Sequence, residues 1–225
     1  QFKSNTPYSG FIQAFQELIR QLLSEPQSRL DEWRKNLLDA LGNNGQIILD
    51  IIPELEQIIG PQPHLIDLNP IEAQNRFQIV FCEFVRVFAG SNHPLVLFLD
   101  DLQWSDASSL DLLRYLSGPG KVQYLFFIGA YRDNEVQAEH PVMKMMEELK
   151  KDQSHPLLYQ QLILKPMGFD AVNQMIADTL HCLPHTTISL TRLVFNKTNG
   201  NAFFVKHLLN SLYLQGSFAF VPEKR

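Results

Sequence analysis

Apolar residues recur at spacings of three and four through the first ninety positions, the period of helices that bury one stripe. Phe11, Phe15, Leu18, Ile19 and Leu22 define the first stripe, on a helix that opens at Tyr8 or Ser9. A second helix is expected over Leu30 to Leu41, with Asp31 and Glu32 in a first turn whose dipole favours acids, and with Gly42 as its stop. Pro53 interrupts the next pattern, so Asn44 to Ile59 reads as a broken helical run that Gly60-Pro61 terminates. Asn69 then caps, and Pro70 opens, a helix carrying Phe77, Val80, Phe81, Phe84, Val85 and Phe88, with Gly90 at its end. That Phe-rich stripe is expected to be core, or a face that meets another domain.

After this the period changes. Leu95 to Leu99 is continuously apolar, as in a parallel strand covered on both faces, and it runs into Asp100-Asp101. Asp106 caps an expected helix over Ala107 to Leu116, and Gly118-Pro119-Gly120-Lys121 reads as a turn. A second buried strand is predicted over Tyr124 to Tyr131, ending at Arg132-Asp133; a helix follows over Pro141 to Lys151, and a third strand over Tyr159 to Leu164. Strands alternating with helices predict a parallel sheet with helices on its faces. Beyond Pro166 only helical stripes remain: Val172, Met175, Ile176 and Leu180; Leu190, Leu193 and Val194; Phe203, Phe204, Leu208, Leu209 and Leu212. They predict a small helical subdomain.

Composition narrows the class. The chain has 225 residues, 45% apolar and 19% charged, which suits a globular core rather than disorder. Its formal charge of -5, with no basic cluster longer than Lys150-Lys151, leaves no electrostatic footprint for nucleic acid or a lipid surface. Cys82 and Cys182 lie far apart in apolar or helical surroundings, which points to a reducing compartment, the cytoplasm. No apolar run approaches the length of a membrane span. Gln1 to Asn5 lacks the apolar core of a secretory signal, so a cleaved or excised start is expected.

Open parallel sheets bind ligands beyond the carboxyl ends of their strands. Asp100, Asp101 and Arg132 stand there. Adjacent carboxylates repel and are costly to desolvate, so a cation or hydrogen-bond donors belong nearby, with magnesium the natural candidate. The first acid would hold the ion through water, the second would orient or deprotonate an attacking water, and the guanidinium would read a terminal phosphate. The plainer alternative makes the acids a turn and helix cap, and pairs Arg132 with Asp133 or one of the two acids. His181-Cys182-Leu183-Pro184-His185 reads as a helix end and turn rather than a zinc site, because no second cluster completes a tetrahedron. Trp104 reads as a packing anchor.

The segment LVLFLDDLQWSDASSLDLLRYL, Leu95 to Leu116, closely resembles the Walker B region of STAND-type AAA ATPases, signal-transduction P-loop proteins that use a nucleotide as a switch. NTPYSGFIQAFQELIRQLL, DIIPELEQIIGPQP, EAQNRFQIVFCEFVRVF, FFIGAYRDNEV and KTNGNAFFVKHLLNSLY look, in that order, like the ATPase module of bacterial multi-sensor kinases. The resemblance implies an α/β P-loop NTPase-like core over 1–165, with its first strand and phosphate loop missing, and a helical lid over 166–225. It implies ATP and Mg2+ as cofactors, Asp100 as the magnesium-associated acid, Asp101 as the water-activating acid and Arg132 as the sensor. Gly200 and Asn201 match the start of a Gly-x-Pro-like lid motif near the adenine, although Ala202 replaces its Pro. In such parents, kinase and sensor domains of the same chain are neighbours.

No Gly-x-x-x-x-Gly-Lys-Ser/Thr occurs, and Val122 follows Lys121 where that motif needs a hydroxyl. The expectation is therefore a fragment of a nucleotide-switch module that lacks its phosphate cradle and is inactive alone. Loss of the first strand is expected to leave an unpaired seam, a route to self-association. The alternative is a non-catalytic interaction module with a degenerate ATPase fold.

Overall fold

The computed structural model describes residues 7–66, 68–118, 120–151 and 159–217; the chain start and Pro119 of the expected turn lie outside them. The chain divides into two compact units, Gln1–Tyr159 and Gln160–Arg225.

In the first unit, α1 (Ser9–Leu22) buries Phe11, Phe15, Ile19 and Leu22 along one stripe. The second helix, α2 (Gln27–Leu41), starts earlier than the pattern predicts, because Pro26, in extended backbone, already stands at its amino end. Asp31 and Glu32 therefore lie inside the helix rather than in its first turn. They pair along it, Asp31 accepting from Gln27 at 3.0 Å and Glu32 meeting Arg29 at 2.8 Å. The run around Pro53 is broken as expected into short pieces that include α3 (Gly45–Leu49) and α4 (Glu56–Ile59), and Gly60 closes it with a φ of 73°. Asn69 accepts a hydrogen bond from the Glu72 amide and caps α5 (Pro70–Phe88).

Phenylalanines knit α1 to α5. Phe11 and Phe15 meet the Phe81 ring edge-on, with centroids 5.9 and 5.5 Å apart, and Phe15 also touches Phe84 and Phe88. Fully burying such a side chain stabilises by about 1.5–3 kcal/mol, and edge-on ring pairs add to that. The Phe-rich stripe is core.

This core supports two parallel strands, β1 (Leu95–Leu99) and β2 (Leu125–Gly129), paired in register from Leu95 with Leu125 to Leu99 with Gly129. Between them lies α6 (Ala107–Leu116), and α7 (Pro141–Lys151) follows β2. Leu97 and Leu99 point into the core. The opposite face differs from the expectation of two covered faces. Val96, Phe98 and Phe126 are 57%, 55% and 60% exposed, and Ile128 is exposed beside them. The described helices leave this face uncovered, so alternate residues of an unbroken apolar run reach solvent.

The third expected strand, Tyr159 to Leu164, is irregular, with Leu162, Ile163 and Leu164 exposed. A strand persists only where a neighbour accepts its ladder, and the described sheet consists of β1 and β2.

The second unit is helical: α8 (Phe169–Leu180), α9 (Ile188–Thr198) and α10 (Ala202–Leu214) surround Val172, Ile176, Val194, Val205 and Leu209. Asn173 ties α8 to the start of α9, accepting from Thr187 and Thr191 at 2.8 and 2.7 Å while donating to the Pro184 carbonyl at 2.9 Å. The predicted third stripe is displaced. Asn201 caps α10, which turns Val205 and Leu209 inward and leaves Phe203 and Phe204 exposed. Leu193 is likewise exposed, while Thr191 and Thr198 are buried. His181 ends α8 in left-handed backbone and a 3-10 turn follows over Pro184–Thr186, the helix end and turn the sequence suggests.

Candidate functional site

The hydrogen-bond ladder of the two strands continues past their ends. Ala130 donates to the Leu99 carbonyl, and Leu102 donates back to the Ala130 carbonyl, each at 2.9 Å. The chain leaving β1 is thereby held beside the chain leaving β2. Between these bonds Asp101 adopts left-handed backbone, φ 53° and ψ 42°, and its amide is bonded to Asp100 Oδ1 at 2.9 Å. Left-handed backbone is tolerated by Asp because its short side chain bonds locally. A single 3-10 turn, Leu102–Trp104, follows.

Asp100, Asp101 and Arg132 consequently share the carboxyl end of the sheet. Arg132 Nε lies 3.5 Å from Asp101 Oδ1, and Arg132 Nη1 lies 3.0 Å from Glu135 Oε1. The guanidinium stands 5.2 Å from the centre of the Trp104 ring, whose indole donates to Glu135 Oε2 at 3.1 Å. Trp104 is thus an exposed platform for Arg132 and not the packing anchor expected of it. The Arg132 side chain is half exposed, so each ion pair is worth about 0–1 kcal/mol and an anionic ligand can compete for it.

Gln103 is the buried member of the group, 6% exposed. Its Nε2 donates to Asp101 Oδ1 at 2.9 Å, and its Oε1 accepts from the Arg132 amide at 3.2 Å. Neither Gln103 nor Glu135 is singled out by the sequence pattern. The one available signal for Glu135 is its place three residues after Arg132; Gln103 carries none.

A cleft of about 380 Å³ opens beside Asp100, lined by Ser105, Asp106 and Ser109 and by the start of α1 at Ser9 and Gly10. Asp106 accepts from the Ser109 amide at 2.9 Å, capping α6, and from the Ser109 hydroxyl at 2.6 Å. Burial pushes the nearby Tyr8 phenol up, against a lowering hydrogen bond with Ser108, while the charges of Asp106 and Asp111 add to the rise.

Gly200 and Asn201 belong to the second unit and both have structural work there. Asn201 Oδ1 accepts from the Phe204 amide at 3.2 Å as the cap of α10. Gly200 has a φ of 75°, its carbonyl accepts from the Met167 amide at 2.8 Å, and a β-carbon on it would collide with the Met167 carbonyl.

The acid side suits Mg2+. Asp100 offers an exposed carboxylate, a hard oxygen donor with one oxygen engaged by the Asp101 amide. Mg2+ keeps several waters and needs only one or two carboxylates besides phosphate, so the lack of any cluster of three or more metal-ligating side chains among the described residues is no obstacle. The phosphate side is different. Lys121, the lysine nearest a glycine turn, precedes β2 and so lies toward the opposite end of the parallel strands from the acids. Its ammonium is 2.9 Å from the Tyr115 hydroxyl.

The parallel strand pair thus carries paired acids at one strand's end and an arginine at the next. The family model described as AAA ATPase domain matches residues 1–128, more than half of the chain, and the chain belongs to that family. The family implies ATP, usually with Mg2+. Among particular proteins, the chain is similar to hybrid signal transduction histidine kinase G of Dictyostelium discoideum, 29% identical over 273 residues. That match covers 93% of this chain and spans 8% of the relative's length. No solved structure matches. No helix among the described residues is long and apolar enough to cross a membrane.

Proposed function

We propose that these residues are the acid, sensor and lid portion of an ATP-dependent switch within a multidomain signalling protein of the STAND type. The observation that carries this reading is the convergence of Asp100, Asp101 and Arg132 at one end of β1 and β2, in a chain of the AAA ATPase domain family. Asp100 would hold Mg2+ through water. Asp101, its carboxylate directed by Gln103, would orient or deprotonate the attacking water. Arg132, loosely held by Asp101 and Glu135, would turn to a terminal phosphate. Bound Mg2+ would supply charge neutralisation on the phosphates. The helical unit 160–225 would act as the lid, with Gly200 and Asn201 near the adenine, and kinase and sensor domains of one polypeptide in the cytoplasm would receive the change in shape.

A phosphate cradle would come from polypeptide outside these 225 residues. The uncovered face of Val96, Phe98, Phe126 and Ile128 supports this, because an apolar sheet face calls for a covering layer. The 225 residues alone should bind Mg-ATP very weakly and not turn it over. The same face also favours the second reading, a module that keeps the fold for protein contacts, since Ala202 and the absent cradle argue against nucleotide use.

The test takes the natural polypeptide extended upstream through the first Gly-x-x-x-x-Gly-Lys-Ser/Thr and compares its ATP turnover with that of Asp101→Asn and Arg132→Ala. Each variant should lose about a hundredfold in kcat. Unchanged turnover in both removes the assigned roles, and an upstream sequence without such a motif favours the contact module.

A further inference from the structure

Gln103 is a polar side chain almost wholly removed from solvent, and both ends of its amide are used across the strand ends. Its donor end meets the Asp101 carboxylate. Its acceptor end meets the main-chain amide of Arg132, 29 residues further along the chain. Asp101 Oδ1, the oxygen that Gln103 contacts, is also the one that Arg132 Nε approaches at 3.5 Å. One amide group therefore sets the direction of the carboxylate and the position of the backbone from which the guanidinium extends. Leu102, buried just before it, fixes the turn by its hydrogen bond to Ala130, so the Gln103 side chain springs from an anchored base.

We infer that Gln103 is the positioning residue of this site, coupling the Asp101 carboxylate to Arg132 so that acid and sensor are held in one geometry. The inference rests on the nucleotide-switch reading for its consequence in turnover, but its geometric content does not. A purely structural glutamine would need only to satisfy the Arg132 main-chain amide, and a glutamate would do that equally well. A positioning glutamine also needs its Nε2 donor to Asp101, which glutamate lacks and replaces with a carboxylate facing Asp101. Gln103→Glu therefore separates the two roles, because it keeps the acceptor and reverses the interaction with Asp101. Gln103→Met removes both bonds at nearly constant volume.

Two measurements test it. In the 225-residue chain, the nitrogen-proton NMR signal of Arg132 Nε–H should change position in both variants as Asp101 Oδ1, 3.5 Å away, turns from it. The side-chain signals of Arg86, bonded elsewhere to Glu83 and to the carbonyls of Gly120 and Lys121, should stay in place. In the upstream-extended polypeptide, Gln103→Glu should lower kcat about tenfold or more with little change in the KM for Mg-ATP. An Arg132 Nε–H signal unaltered in both variants overturns the inference, whatever the turnover. If Asp101→Asn abolishes turnover while Gln103→Glu leaves it intact, the inference fails and the nucleotide reading survives. If Asp101→Asn has no effect but the NMR change is seen, the nucleotide reading fails and the geometric coupling stands.

Discussion

The Tyr8 amide lies 3.3 Å from Asp106 Oδ2 and 3.1 Å from Ser109 Oγ, so the residue that starts α1 is tied to the cap of α6. One carboxylate thus serves a local helix end and a contact between segments 98 residues apart. Asp106→Ala removes the cap and strands the Tyr8 amide on a single partner. The expected loss is about 1–2 kcal/mol in urea unfolding, with Asp106→Asn keeping most of it. Equal stability of the Ala and wild-type chains would show the cap to be unimportant.

The Met167 carbonyl occupies the space a side chain on Gly200 would need. Gly200→Ala should therefore destabilise the second unit by at least about 1–3 kcal/mol. Gly216→Ala, also at positive φ but in open space, is the control and should cost less. Thermal unfolding decides between them, and equal shifts would leave only backbone handedness at Gly200.

The apolar face of the two strands should register in solution. Phe98→Thr combined with Phe126→Thr replaces two exposed rings with a residue that still favours strands, so stability should change by no more than about 0.5 kcal/mol. Binding of an apolar fluorescent dye and the tendency to associate in sedimentation should both fall. If dye binding is unchanged, the dye sits elsewhere and the face is covered.

Burial pushes the Cys82 thiol up, with Arg86 lowering it, Glu83 raising it and Lys121 lowering it in decreasing order. A thiol whose titration is raised in the folded state contributes stability that is complete below its unfolded value, about 8.5, and lost as pH rises through the folded one. Unfolding midpoints should fall as the pH rises above the thiol's unfolded value, and less steeply in Cys82→Ala. Parallel slopes in the two proteins would assign the fall to other groups, such as the raised Tyr8 and Tyr159 phenols.

Much of the architecture was legible along the chain because local signals and burial agree. Asn69-Pro70 and Asp106 start α5 and α6, and of the two fates open to the Phe stripe from Phe77 to Phe88, core or a face toward another domain, it takes the first. Reading failed where a segment's fate depends on what lies over it. Leu162-Ile163-Leu164 has the apolarity of a strand yet pairs with no strand among the described residues, and an unbroken apolar run in β1 does not tell how many of its faces are covered. In the second unit, Phe203 and Phe204 outweigh Val205 in apolarity, yet the Asn201 cap sets the helix phase and turns the smaller residue inward. At the candidate site, the charged residues stand out from the apolar strands before them. Gln103 does not, since its importance comes from two bonds that exist only once the strand ends are side by side.

The left-handed bend at Asp101 restricts which residues the position can carry. Asn and Gly adopt that conformation readily, whereas longer or branched side chains pay roughly 1–2 kcal/mol in backbone strain before any contact is counted. Extending the acid by one methylene, Asp101→Glu, therefore changes reach and foldability together. A library randomised at this codon and screened only for expression should enrich Gly, Asn and Asp over Glu, so the bend by itself decides which of the two acids can stand there.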